Sequence, residues 1–154
     1  MELLQQMAER FPTTHPNVLD RFAIANSRDL DRASAMLAKS LEWRAATLPI
    51  TPHQLDGVTP WLHTGGEARD GSSLLLVQGA RYDHQTATPQ QYVLSACSML
   101  ERWAPEDPTK LTVLIDTRPA RGWANPPAHW LLPFFRAVGP VLSQNYPERM
   151  QVAV

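Results

Sequence analysis

The chain has 154 residues, 44% hydrophobic and 19% charged, with a net charge of −1. This balance excludes a disordered chain and the basic stripe of a nucleic-acid-binding surface. A single cysteine, Cys97, excludes an internal disulfide, and no apolar run approaches the ~20 residues of a membrane-spanning helix. The length predicts one domain, large enough to bury about 68–70% of its unfolded surface. The N-terminus MELLQQMAERF carries Glu2 and Glu9 and lacks a basic start followed by an apolar stretch, so it does not read as a signal peptide. Fourteen prolines are scattered along the chain and act as punctuation.

In chain order, residues 2 to 10 predict a short helix with Leu3, Leu4 and Met7 on one side. FPTTHP breaks it, because proline removes a donor and fixes φ. Pro16 then suits the first turn of a second helix, with Val18, Leu19, Phe22 and Ala25 as its apolar face and an end near Asn26. Ser27 or Asp29 is placed to cap a third helix, where Leu30, Ala33, Met36, Leu37, Ser40 and Leu41 recur at threes and fours. That helix runs into LEWRAAT and stops before Pro49.

Beyond Pro52 the pattern changes. A Gly-Gly break and an Asp-Gly turn precede a dense apolar run, and residues 72 to 79 read as a buried strand. Thr88 before Pro89 starts a helix expected to reach Trp103, with Val93, Ala96, Cys97, Leu100 and Trp103 facing inward. KLTVLID, residues 110 to 116, is the next strand, so strand, helix and strand predict a parallel βαβ unit. A loop follows, then a helix from about Pro127 or Pro133 to Ser143, kinked or divided by Pro133 and Pro140. A third parallel strand is expected from Met150. The fold class is α/β: an N-terminal helical subdomain, residues 1–50, packed on a mostly parallel sheet with crossover helices, residues 51–154.

Catalytic chemistry is sparse. There is no glycine-rich phosphate loop, and none of the five histidines stands three or four residues from another, so no helical metal pair forms. Cys97 with Arg102 is one residue short of a phosphatase loop, and the cysteine lies mid-helix on the apolar face, which predicts a structural thiol. Asp116 ends a parallel strand, where α/β proteins place functional residues, but no partner base accompanies it; Arg118 or Arg121 is placed to anchor it. Trp123, Trp130, Phe134 and Phe135 form an aromatic stretch that is either core or a lipid-facing surface, with core expected for most of them.

Three stretches together resemble one family. LDRFAIANSRDLDRASAMLAKSLEWR, residues 19 to 44, is similar to the N-terminal helical segment of CRAL-TRIO lipid-binding proteins, with Arg21, Phe22, Ala25, Asp29, Ala33, Leu37, Trp43 and Arg44 matching. RDGSSLLLVQGARYD resembles the turn and first long strand of that family. LTVLIDTRPARGW followed by VLSQNYPERM resembles its Asp-ended strand and its Tyr-Pro-Glu-Arg signature, Tyr146 to Arg149. AIANS, in place of the usual basic residues after Phe22, and Ser72-Ser73, in place of Arg-Pro, depart from the pattern.

The resemblance implies a helical subdomain on an α/β domain whose sheet floors an apolar pocket. It implies one bound lipid or other hydrophobic small molecule, phosphatidylinositol-like among the options, with possible transfer between membranes. The alternative is a protein-interaction or membrane-targeting module without transfer, or a remnant without a closed pocket. It implies no enzyme activity, no cofactor, no metal and no nucleic acid. The implied location is cytoplasmic, with transient peripheral contact with a membrane. Candidate pocket residues are Val93, Ala96, Leu100, Val113, Ile115 and Val152. Arg44 and the turn from Tyr146 to Arg149 are expected to be structural, with Glu148 and Arg149 tying the turn to its neighbours. The family continues past this signature into a full strand and a gate helix, so the sequence is expected to be the front part of such a domain, its C-terminal part missing.

Overall fold

The apolar residues at threes and fours in the first fifty positions become three helices in the computed structural model, which describes residues 2–118 and 127–154. They are α1 (Glu2–Arg10), α2 (Pro16–Ala25) and α3 (Leu30–Thr47). Pro16 opens α2, where its missing donor costs nothing, and the His15 ring accepts from the Asn17 amide at 3.2 Å. The helix closes through Ser27 and Arg28, both at positive φ, and the Arg28 amide reaches back to the Ala23 carbonyl at 2.7 Å. Of the two possible caps for α3, Asp29 takes the role, accepting from the Arg32 amide at 2.9 Å.

Met7, Leu19, Phe22, Ala23, Ala33 and Leu37 form the helical core. The apolar face of α2 is rotated from the expected one. Ala23 is buried and Ala25 is exposed, because α2 packs against both α1 and α3 and the buried sector centres on Leu19 and Ala23.

The rest of the chain builds one four-stranded sheet in the order β1 (Leu62–Glu67), β2 (Ser73–Gln78), β3 (Leu111–Asp116), β4 (Met150–Ala153). β1 pairs antiparallel with β2, and the other two pairings are parallel. β1 was not expected from the sequence, where Gly65-Gly66 reads as a break. The strand runs through both glycines because the register slips between Thr64 and Glu67, and Gly66 takes the positive φ of 80° that this irregularity requires. The hairpin closes on Asp70, whose carboxylate accepts from both the amide and the hydroxyl of Ser72.

Between β2 and β3 runs α4 (Pro89–Leu100), the crossover of a parallel βαβ unit. Thr88 and Gln91 form a capping box at its start. It ends three residues before Trp103: Pro105 disfavours helical geometry at Ala104, and turns take over at Glu101. The helix α5 (Ala128–Asn145) continues through Pro133 and Pro140 without division and leads into β4. Arg121 and Trp123 lie outside the described residues.

A second core gathers Trp61, Tyr82, Tyr92, Val93, Cys97, Phe134 and Val138. Trp61 is its centre. It meets Tyr92 edge-on at 5.2 Å and Phe134 at 5.0 Å, and its ring nitrogen donates to the Ser95 hydroxyl at 2.9 Å. Among the described residues, no helix is long and apolar enough to cross a membrane.

Candidate functional site: an apolar cavity between the sheet and two helices

Strand geometry sends alternate side chains to opposite faces. Leu75, Val77, Val113 and Ile115 therefore point to one side of the sheet, the side on which α4 and α5 lie. Between these layers is a cavity of about 590 Å³. Ala96 and Leu100 of α4 form one wall. Leu131, Phe134, Phe135, Val138 and Leu142 of α5, spaced at threes and fours, form the roof. Ile115 and Phe135 are 40% and 51% exposed, so the same side chains line the cavity and form its rim.

Four of the six residues singled out from the sequence, Ala96, Leu100, Val113 and Ile115, lie on this lining. Val93 does not; it lies on α4 but is buried in the aromatic core. Val152 does not either. The register slips between Leu111 and Thr112, so Met150 pairs with Leu111 while Val152 pairs with Thr112 and Ala153 with Val113. That extra residue turns Val152 to the far face and brings Ala153 to the cavity, where two-residue alternation from Met150 would do the reverse. Trp61 and the roof residue Leu142 line the cavity without having been singled out, although the spacing of α5 carried the signal for Leu142.

Among the described lining residues, polar side chains are few. Arg149 is one, and its guanidinium is already engaged. Nη1 donates to the Asp107 carbonyl at 2.8 Å and the Thr109 carbonyl at 3.3 Å, and Nη2 donates to the carbonyls of Trp103, at 3.4 Å, and Ala104. The turn after α4 is thereby tied to the Tyr-Pro-Glu-Arg turn, and Glu148 adds a contact to Lys110 at 3.6 Å. Burial pushes the Arg149 guanidinium below its ordinary pKa. Tyr146 is another polar group on the lining. Its ring meets Trp43 edge-on at 6.0 Å, and its buried hydroxyl lies beside Cys97 and Glu101 without reaching hydrogen-bond geometry to either.

The residues weighed for chemistry are occupied in other ways. Burial raises the Cys97 thiol to about 11, which leaves it protonated and un-nucleophilic near neutral pH. Asp116 accepts from the Arg118 amide at 3.0 Å and from its guanidinium twice at 2.9 Å; these bonds bring the carboxyl down to about 2. Among the described residues, no three His, Cys, Asp or Glu side chains gather to hold a metal ion. Phe134 is buried, whereas Phe135 and Trp130 are exposed, so the aromatic stretch divides between core and surface.

A second, more polar cleft of about 320 Å³ separates the helical core from the α/β core. Arg44 of α3 crosses this seam to Glu101 with two bonds of 2.9 and 2.6 Å. Asn17 of α2 donates to the Glu106 carbonyl at 2.9 Å, and Arg21 donates to the Pro105 carbonyl. Burial, and then the nearby Arg149, brings Arg21 down to about 10. Comparison with protein-family models and with curated proteins finds no match for this chain.

Proposed function

We propose that the protein binds a single lipid or other hydrophobic small molecule in the cavity between the sheet and α4 and α5, as a CRAL-TRIO-type module. The observation that carries this reading is the lining itself: about 590 Å³ walled by aliphatic and aromatic side chains. A cavity of that size and character suits an apolar ligand, because each buried Å² of apolar surface contributes roughly 25 cal/mol. The residues that carry the resemblance add support. Arg21, Trp43, Arg44, Tyr146 and Arg149 are far apart in sequence but meet at one seam. A cytoplasmic location with transient contact with a membrane surface, and possible transfer of the ligand between membranes, belong to the same proposal.

The test is extraction of the purified protein with organic solvent and mass spectrometry of the extract, with Ala96→Phe as control. Phenylalanine at 96 projects a ring into the cavity. The expected result is about one apolar molecule per wild-type chain, reduced at least about fivefold in the variant. An empty extract, together with no uptake of a neutral apolar dye, would sink the reading.

One observation favours a second reading, a protein-interaction or membrane-targeting module without transfer. The far face of the sheet carries Leu114 and Val152, 37% and 46% exposed, an apolar surface of the kind that meets partners. Ligand in the extract decides between the two.

A further inference from the structure

The cleft at the seam between the two cores holds buried polar groups that the fold leaves without partners. Its walls come from α2, α3, the end of α5 and the turns that precede β3 and β4, so it opens at the end of the sheet where those two strands begin. We infer that it is a binding site for a small aromatic carboxylate that also bears a hydroxyl, distinct from the apolar cavity and its proposed ligand.

The first argument is charge. Arg21, Arg44 and Arg149 line the cleft, and two of them are matched. Arg44 is held by both oxygens of Glu101, and Arg149 by bonds to backbone carbonyls. Arg21 donates once, to the Pro105 carbonyl, and its other N–H donors meet no acceptor among the described residues. Arg21 is half-buried. Desolvation and the nearby Arg149 and Arg44 work against its charge, with Asp107 and Glu106 opposing them. A monoanion with two oxygens fits the fork that remains. His15 adds a donor at the rim: its Nδ1 accepts from the Asn17 amide, so the proton of the neutral ring sits on Nε2.

The second argument is hydrogen bonding. Ser40 of α3 is 2% exposed and lines the cleft, yet its hydroxyl has no hydrogen-bond partner among the described residues. Asn145, also buried, directs its side-chain N–H at the Val141 carbonyl at 3.0 Å and leaves its Oδ1 free in the same way. A buried polar side chain without a protein partner calls for one from outside the chain. A hydroxyl both donates and accepts, so it suits a site that offers Ser40 and Asn145. Val18, Leu41 and Trp103 present apolar surface on the same walls, which suits a flat ring, and about 320 Å³ has room for one.

The experiment is calorimetric titration of the full chain near neutral pH. The probes are 4-hydroxybenzoate, its uncharged counterpart 4-hydroxybenzamide, and inorganic phosphate. The acid is ionised there and should bind at least about tenfold more tightly than either of the others. Arg21→Gln should weaken its binding at least about tenfold. Because that change also removes the bond to Pro105, Ser40→Ala is the second variant. It breaks no side-chain bond of the free protein and should leave the urea midpoint without ligand unchanged or raised. It should weaken binding of the acid about three- to tenfold.

Equal affinity for acid and amide, phosphate binding as tight as the acid, undiminished affinity in Ser40→Ala, or no heat at millimolar concentration would overturn the inference. None of these outcomes touches the apolar cavity, whose ligand is read from solvent extracts.

Discussion

Single side chains show how burial decides chemistry. Cys97 is fully buried, and its thiol is raised from 9.0 to about 11. The unfolded chain therefore ionises first as pH rises. Stability from this group is complete below about pH 9 and is lost between about 9 and 11, up to about 3 kcal/mol in all. Urea midpoints for wild type and Cys97→Ala at about pH 8 and about pH 10.5 isolate the effect. The wild type should lose about 2 kcal/mol more than the variant across that interval, and equal losses would show that the thiol ionises as easily in the fold as outside it. The burial was legible because Cys97 sits among apolar residues at helical spacing. Its neighbours Tyr146 and Glu101 were not, because contacts between distant segments leave no periodicity. Arg118 as the partner of Asp116 was legible, since two residues is a local spacing that turn geometry favours.

At the scale of elements, α1 to α5 follow from apolar spacing and capping residues, whereas the sheet is only partly readable. β1 was lost because two glycines mimic a turn. Val152 was placed on the wrong face because one slipped residue against β3 inverts all that follows it. A register irregularity arises from pairing and has no signature in the strand that bears it. Glycines in turn differ by surroundings that only the fold reveals. Gly139 lies inside α5 directly before Pro140, and apart from its chain neighbours and its own helix backbone a Cβ there meets nothing within 4 Å. Gly139→Ala gains about 0.5–1 kcal/mol of helix propensity but sets a Cβ against the Pro140 ring, so the net change should stay within about 0.5 kcal/mol. Gly57 has φ of 82°, and a Cβ there would fall on the Thr86 carbonyl oxygen. Gly57→Ala should destabilise by about 2 kcal/mol or more. Chemical denaturation of the two variants side by side checks the contrast; a loss above about 1 kcal/mol at 139 would mean that the clash with the Pro140 ring outweighs the helical gain.

At the scale of the molecule, two cores meet across a polar seam. The helical core and the aromatic α/β core are separate clusters, and the contacts that join them include the packing of α3 on α5, Arg44 to Glu101, Asn17 to the Glu106 carbonyl, Arg21 to the Pro105 carbonyl, and the edge of Trp43 on Tyr146. The Arg44 and Glu101 side chains are 24% and 23% exposed, between the surface pairs worth little and the buried pairs whose breakage costs 3–5 kcal/mol. Arg44→Met keeps the length of the side chain and removes the charge, leaving Glu101 half-buried without its partner. The expected loss is about 2 kcal/mol, concentrated at the seam. A local loss uncouples the two cores, so far-UV ellipticity, which reports mostly on α1 to α3, α4 and α5, should begin to fall before the near-UV signal of Trp61 and its aromatic neighbours. In the wild type the two transitions should coincide. Arg44→Lys retains a charge but not the two-pronged fork, and should fall between them. Coincident transitions in Arg44→Met with a loss under about 0.5 kcal/mol would place the coupling elsewhere, in the Arg149 bonds to the turn after α4.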